Sequence, residues 1–236
     1  MALRWISILG LLLACMAAQA APRKVHSVSL GAYKTVSYSR VGDPAGALPE
    51  EDSLKIRPLV VDAQVKEWTT GDTHAVTDRS FVVRRVVRLN DELPGDEPQR
   101  GAQASRWVWQ RGPWLLVEKG TGRITALKLP DYDPGVSRVA WFRDYAAYCG
   151  VTASGKSLYA VVAQIAVHKP VLAKKLAAFE GASQTVCQLP EWQRKPFAVT
   201  FHPAGRDAAT FEIVAGSAVL VEDADSDAET AQARTN

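Results

Sequence analysis

Leu54 to Thr70 reads LKIRPLVVDAQVKEWTT. Two runs rich in Val, Leu, Ile, Thr and Trp flank Asp62-Ala63. β-prone runs on either side of a two-residue break predict an antiparallel hairpin with a tight turn, although Ala is a weaker turn residue there than Gly. Pro58 has no amide hydrogen to give to a ladder, so the first strand is expected at a sheet edge. The next apolar stretch, Ser80 to Asn90 (SFVVRRVVRLN), predicts a longer strand with a Val-rich face.

The same pattern extends in both directions. Lys34 to Val41 alternates towards the N-terminus. Downstream, Trp107 to Gln110, Trp114 to Lys119, Arg123 to Leu129, Ser137 to Phe142, Tyr145 to Val151, Ser157 to Val167 and Val171 to Leu176 read as strands. Phe197 to His202, Ala208 to Val214 and Ser217 to Glu222 complete the set. Gly112-Pro113 is expected to break the first downstream pair, and Gly120-Thr121-Gly122 to turn the second. Lys174 to Phe179 (KKLAAF) also fits one or two helical turns. Val139 to Tyr148 fits either period and is read as strands for its aromatic content and the nearby Gly150. The predicted fold class is all-β, with antiparallel sheets.

A repeat-like echo bears on how the sheets are arranged. Trp109-Gln110-Arg111 and Trp141-Phe142-Arg143 stand 32 residues apart, and each leads through apolar runs to a Gly-basic turn, Gly122-Arg123 and Gly155-Lys156. Residues 107–177 in this reading resemble β-propeller blades, whose middle strands are often joined by a turn ending in Gly-Lys or Gly-Arg; the WD dipeptide of WD-repeat blades is absent. The resemblance implies propeller-like blades, about four of four strands each. A β-sandwich is the alternative.

Length and composition bound the domain plan. The chain has 236 residues, is 47% hydrophobic and 22% charged, and carries a net charge of +3. That is neither a disordered composition nor a basic nucleic-acid binder. Residues 1–20 (MALRWISILGLLLACMAAQA) read as a signal peptide: one early charge, Arg4, then an apolar run, then Ala18-Gln19-Ala20 before the cut. Its removal takes one positive charge and leaves +2. Leu12-Leu13-Ala14-Cys15 also resembles a lipoprotein box, in which Cys15 is lipidated. The product is therefore expected to be exported, periplasmic or secreted, or else anchored through Cys15. No transmembrane helix is expected in the mature chain. Residues 21–222 are expected to form a single β-rich domain, and 223–236 a disordered acidic tail.

Cys149 and Cys187 remain after the leader. In an oxidising compartment an even pair invites a disulfide; two separate buried thiols are the other reading. The histidines, His26, His74, His168 and His202, are scattered, so no metal site is expected.

Candidate chemistry is sparse. Gly150-Val-Thr-Ala-Ser-Gly155-Lys156-Ser157 matches the phosphate-binding P-loop pattern. A P-loop needs a helix directly after its lysine, because the helix N-terminus helps hold the phosphates. Here Leu-Tyr-Ala-Val-Val follows, which favours a strand, so the match is read as a Gly-Lys hairpin turn and no cofactor is expected. Asp131 and Asp133 provide a carboxylate pair of the kind glycoside hydrolysis needs, and are also ordinary turn residues. Glu67, Asp72, His74 and Asp78 form the densest polar cluster near a histidine. Asp223, Asp225, Asp227 and Glu229 imitate the start of a calcium loop, but Ala228 and Arg234 occupy its key glycine and glutamate positions. Trp107, Trp109 and Arg111 share one face of a strand and are a candidate binding face, with core packing as the alternative. The expected function is a non-catalytic binding or structural module of the cell envelope or exterior. Its partner would be an envelope protein, a peptide or a glycan. The alternative is an extracytoplasmic glycan hydrolase using Asp131/Asp133 or the Glu67/His74 region.

Overall fold

The computed structural model describes residues 25–40, 43, 53–90, 107–165, 169–179, 187–214 and 217–221. Within them lie fifteen strands and no helix. The predicted leader with Cys15, the calcium-loop imitation, the acidic tail and His168 fall outside the described residues.

The first sheet has seven strands: β1 (Val28–Leu30), β2 (Lys34–Ser37), β3 (Ser53–Val61), β4 (Gln64–Thr77), β5 (Ser80–Asn90), β6 (Trp107–Glu118) and β7 (Ile124–Ala126). The β3–β4 hairpin turns at Asp62-Ala63 as predicted, with both residues at positive φ, 50° and 61°. Two successive positive φ angles give the turn the right-handed twist of its strands. Pro58, however, does not place β3 at an edge. β4 pairs along one side of it, and β1 and β2 pair end to end along the other. Arg57-Pro58 falls in the gap between those two partners, where no neighbouring strand needs an N–H. The Pro58 carbonyl accepts from Gly31 N at 2.9 Å. A Cβ at Gly31 would stand 2.6 Å from Pro58 Cγ, so the crossing demands glycine.

β6 corrects a second expectation. Gly112-Pro113 does not break it into two strands. Arg84 pairs with Trp114 and Val86 with Arg111, so the dipeptide forms a bulge opposite Arg85 within one continuous strand. The echo therefore fails as a structural repeat. Its first unit is a single bulged strand and β7 in the first sheet. Its second is three strands of another sheet, with a turn at Arg143, φ 51°.

β5 is buried on both faces. Phe81 and Val83 pack with Leu59, Leu115 and Val117 inside the curl of the sheet. Val82 faces the other way, beside Leu127, Ile165, Trp114 and Trp141. The curl brings β2 back towards β6, where Tyr38 bridges Trp109 and Ser39 N donates to the Trp109 carbonyl at 2.9 Å.

The second sheet is the meander β8 (Ala140–Phe142), β9 (Tyr145–Val151), β10 (Ser157–Gln164) and β11 (Lys169–Ala178). The third is the meander β12 (Glu191–Gln193), β13 (Ala198–Phe201), β14 (Ala209–Val214) and β15 (Ser217–Val221). Lys174 to Ala178 is strand throughout, not helix: register with β10 overrides the helical propensity of Lys, Leu and Ala. The two meanders lie face to face, with β8 by β12, β9 by β13 and β11 by β15. Between them Ala147, Cys149, Leu158, Ala160, Val162, Val199, Phe201 and Phe211 form the largest core. No closed barrel or ring of blades occurs among the described residues.

Cys149 and Cys187 form a disulfide across this core, with Cα atoms 6.3 Å apart. On the opposite face of β9, Tyr148 is fully buried and its hydroxyl donates to the Pro130 carbonyl at 2.6 Å. Burial, then the nearby Asp131 charge, raises its pKa far above the ordinary 10.0. Below pH 10 the phenol is protonated folded and unfolded, and stability is intact. Above it the unfolded chain loses the proton while the folded chain keeps it, so stability falls as pH rises. Urea unfolding at pH 11 is expected to show a loss of about 1.4 kcal/mol from this group. Tyr148→Phe should be about 1 kcal/mol less stable at neutral pH, through the lost hydrogen bond, with a shallower decline above pH 10.

Candidate functional site

A cleft of about 700 Å³ opens where the three sheets meet. β4 supplies His74 and Ala75, β8 and its turn supply Trp141, Phe142 and Arg143, and the link from β12 to β13 supplies Arg194, Lys195 and Phe197. The size is that of a small-molecule site, for which ~300–1,000 Å³ is typical.

Each wall has a local cause. His74 stacks on Trp141 at 5.7 Å and hydrogen-bonds through Nε2 to the Arg143 carbonyl at 2.7 Å, which joins the first sheet to the second. Trp141 also meets Trp114 edge-on at 5.0 Å. Trp192 pins the third sheet, donating Nε1–H to the Ala140 carbonyl at 3.1 Å and stacking on Phe197 at 5.5 Å. Phe142 packs on Trp192 and Phe197. Over Phe142 stand two guanidiniums, Arg143 at 5.4 Å and Arg194 at 5.9 Å from the ring centre. Among the described residues no carboxylate pairs with Arg143, Arg194 or Lys195, and none lines the cleft.

The residues singled out from sequence are distributed differently. His74 lines the cleft; Glu67, Asp131 and Asp133 do not. Glu67 accepts from Arg85 Nε at 2.8 Å. Asp133 caps a turn, its Oδ1 accepting from Gly135 N at 2.7 Å. Asp131 sits at positive φ, 51°, and its carbonyl accepts from Val151 N at 2.8 Å. Among the described residues no group of three His, Cys, Asp or Glu side chains is placed to hold a metal.

Gly150, Gly155, Lys156 and Ser157 lie on the β9–β10 hairpin, with Gly155 in the turn at φ 66° and Ser157 opening β10. A strand follows the lysine, so no helix N-terminus is present there to meet a phosphate. Of the Trp107, Trp109 and Arg111 set, Trp107 is exposed, with Arg88 4.8 Å over its ring. Trp109 packs with Leu54, Ile56 and Val86 and meets Trp68 edge-on at 5.9 Å. Arg111 is paired with Asp43 and the Tyr38 hydroxyl.

No local motif marks Arg143, Arg194, Lys195, Phe142 and Phe197 as a site. The local signal is Trp141-Phe142-Arg143, which also forms part of the apparent repeat. Comparison with protein families, curated proteins and solved structures finds no match to the chain.

Proposed function

We propose that the chain is an exported, non-catalytic binding module of the cell envelope or exterior, and that its ligand sits in the cleft between His74, Phe142 and Arg194. The observation that carries this is the gathering of Arg143, Arg194 and Lys195, without carboxylate partners among the described residues, against an aromatic wall. Apolar concavities with a few convergent polar groups are the usual form of a ligand site. A glycan hydrolase needs two carboxyl groups flanking one bond, and Asp131, Asp133 and Glu67 receive no such support from the cleft lining. Export is supported by the disulfide, which an oxidising compartment sustains. Among the described residues no helix is long and apolar enough to cross a membrane. The face-to-face placing of β8 by β12, β9 by β13 and β11 by β15 favours a sandwich for that half of the molecule over propeller-like blades.

Anilinonaphthalene sulfonate, an anionic dye with an apolar body, is the first probe. It should bind with a Kd of about 10–100 µM, and Ala75→Trp, which fills the cleft from an exposed position, should weaken it about ten-fold or more. Unchanged dye binding by Ala75→Trp would overturn the cleft as the ligand seat.

A further inference from the structure

Resting on that reading, we propose that the ligand is a compact polyoxyanion: a small molecule with two closely spaced phosphate or carboxylate groups, held by Arg143 and Arg194 together with Lys195. Both guanidiniums stand over one ring, so their centres lie within about 11 Å of each other, and a single small ligand can span them. Like charges gathered beside an aromatic wall repel one another, and at these exposed positions solvent and salt screen only part of that repulsion. A doubly charged anion removes that cost, where a single carboxylate leaves it largely in place. Arginine suits the task because its planar fork pairs with carboxylate or phosphate through parallel hydrogen bonds.

The aromatic rings argue against a neutral sugar. Sugar recognition uses an open aromatic face. Here Trp141 is stacked on His74, Phe197 on Trp192, and Phe142 lies beneath two guanidiniums. The rings orient the cations through cation–π contact and leave ligand contact to the charges. Cleft size separates the proposal from an extended surface for a polymer, since the lining comes from three short segments around about 700 Å³.

The test is isothermal titration of the full mature chain with inorganic pyrophosphate, citrate and uncharged maltotriose. Vesicles of phosphatidylglycerol and of phosphatidylcholine form a separate arm. Pyrophosphate or citrate should bind in the micromolar range, more weakly as salt rises from about 0.05 to 0.5 M. Arg143→Gln and Arg194→Gln, both at exposed positions, should each weaken binding about ten-fold, and the pair should abolish it. Arg194→Lys should fall between, keeping charge and losing the fork. Maltotriose binding that Ala75→Trp removes and the Gln variants leave intact would overturn the polyoxyanion and keep the cleft. Polyoxyanion binding indifferent to the Gln variants, or no polyoxyanion binding at all, overturns the inference. Response to phosphatidylglycerol vesicles alone replaces it with a membrane surface. If no ligand responds to Ala75→Trp, the cleft reading falls as well.

Discussion

Replacing Cys149 and Cys187 together with Ala is expected to lower the unfolding free energy by about 4 kcal/mol. The bridge joins residues 38 apart in sequence, and removing it frees the unfolded chain from a closed loop of that size. Loop-closure entropy supplies most of the expected loss. Position adds to it. Both cysteines belong to the core between the two meanders, at 1% and 3% exposure, so the Ala variants also leave small gaps. Cys149 lies on β9, and Cys187 bridges Pro203 just after β13, so the bond ties one meander to the other. Urea unfolding of the double variant against the oxidised protein is the measurement. Because the sulfurs are buried, reductant should act on the wild type only when denaturant opens this core. A loss under about 1 kcal/mol would mean that the unfolded chain retains the contact by other means.

Local chemistry made much of the fold legible. The β3–β4 hairpin, β5 and the β8–β9 pair all follow from β-prone runs and their punctuation, which are properties of neighbouring residues. The expectations that failed depend on residues distant in sequence. Pro58 signals an edge only if a continuous neighbour lies beside it, and here β1 and β2 divide that side between them. Gly112-Pro113 becomes a bulge because β5 pairs on both sides of it. Lys174 to Ala178 is strand because β10 offers it a ladder. In each case the deciding partner is a hydrogen-bonding neighbour that local propensity does not identify.

The cleft was less legible for the same reason. Its lining comes from residues 74–75, 141–143 and 194, 195 and 197, three segments that carry no common motif. Arg194-Lys195-Pro196-Phe197 reads locally as a polar loop before a strand. It becomes a binding wall only because Trp192 anchors the third sheet over β8. The carboxylates that drew attention in sequence are instead used by the fold. Glu67 answers Arg85, Asp133 closes a turn, and the Asp131 backbone holds the end of β9.

Gly150→Ala is expected to cost about 1–3 kcal/mol by overpacking, whereas Lys156→Ala, a few residues on, should change stability by less than about 0.5 kcal/mol. The added Cβ would stand 2.8 Å from the Asp131 carbonyl oxygen and 3.0 Å from Val161 Cγ2. Neither neighbour yields cheaply. The carbonyl is fixed by Val151 N–H at 2.8 Å, and Val161 is fully buried in the β9–β10 ladder. Ala gains about 0.5–1 kcal/mol over Gly from backbone entropy in a strand, which offsets part of the clash. Gly155→Ala meets open space but sits at φ 66°, so its cost should be about 1 kcal/mol from backbone strain alone. This order separates a hairpin from a nucleotide site. A phosphate loop would make Lys156 the most sensitive position for ligand binding, and ATP would raise the wild-type melting temperature. The hairpin makes Gly150 the most sensitive position for stability and gives Lys156→Ala no influence on any response to ATP. Thermal unfolding of the three variants, each with and without Mg-ATP, distinguishes the two. An ATP-dependent shift that Lys156→Ala removes would overturn the hairpin account.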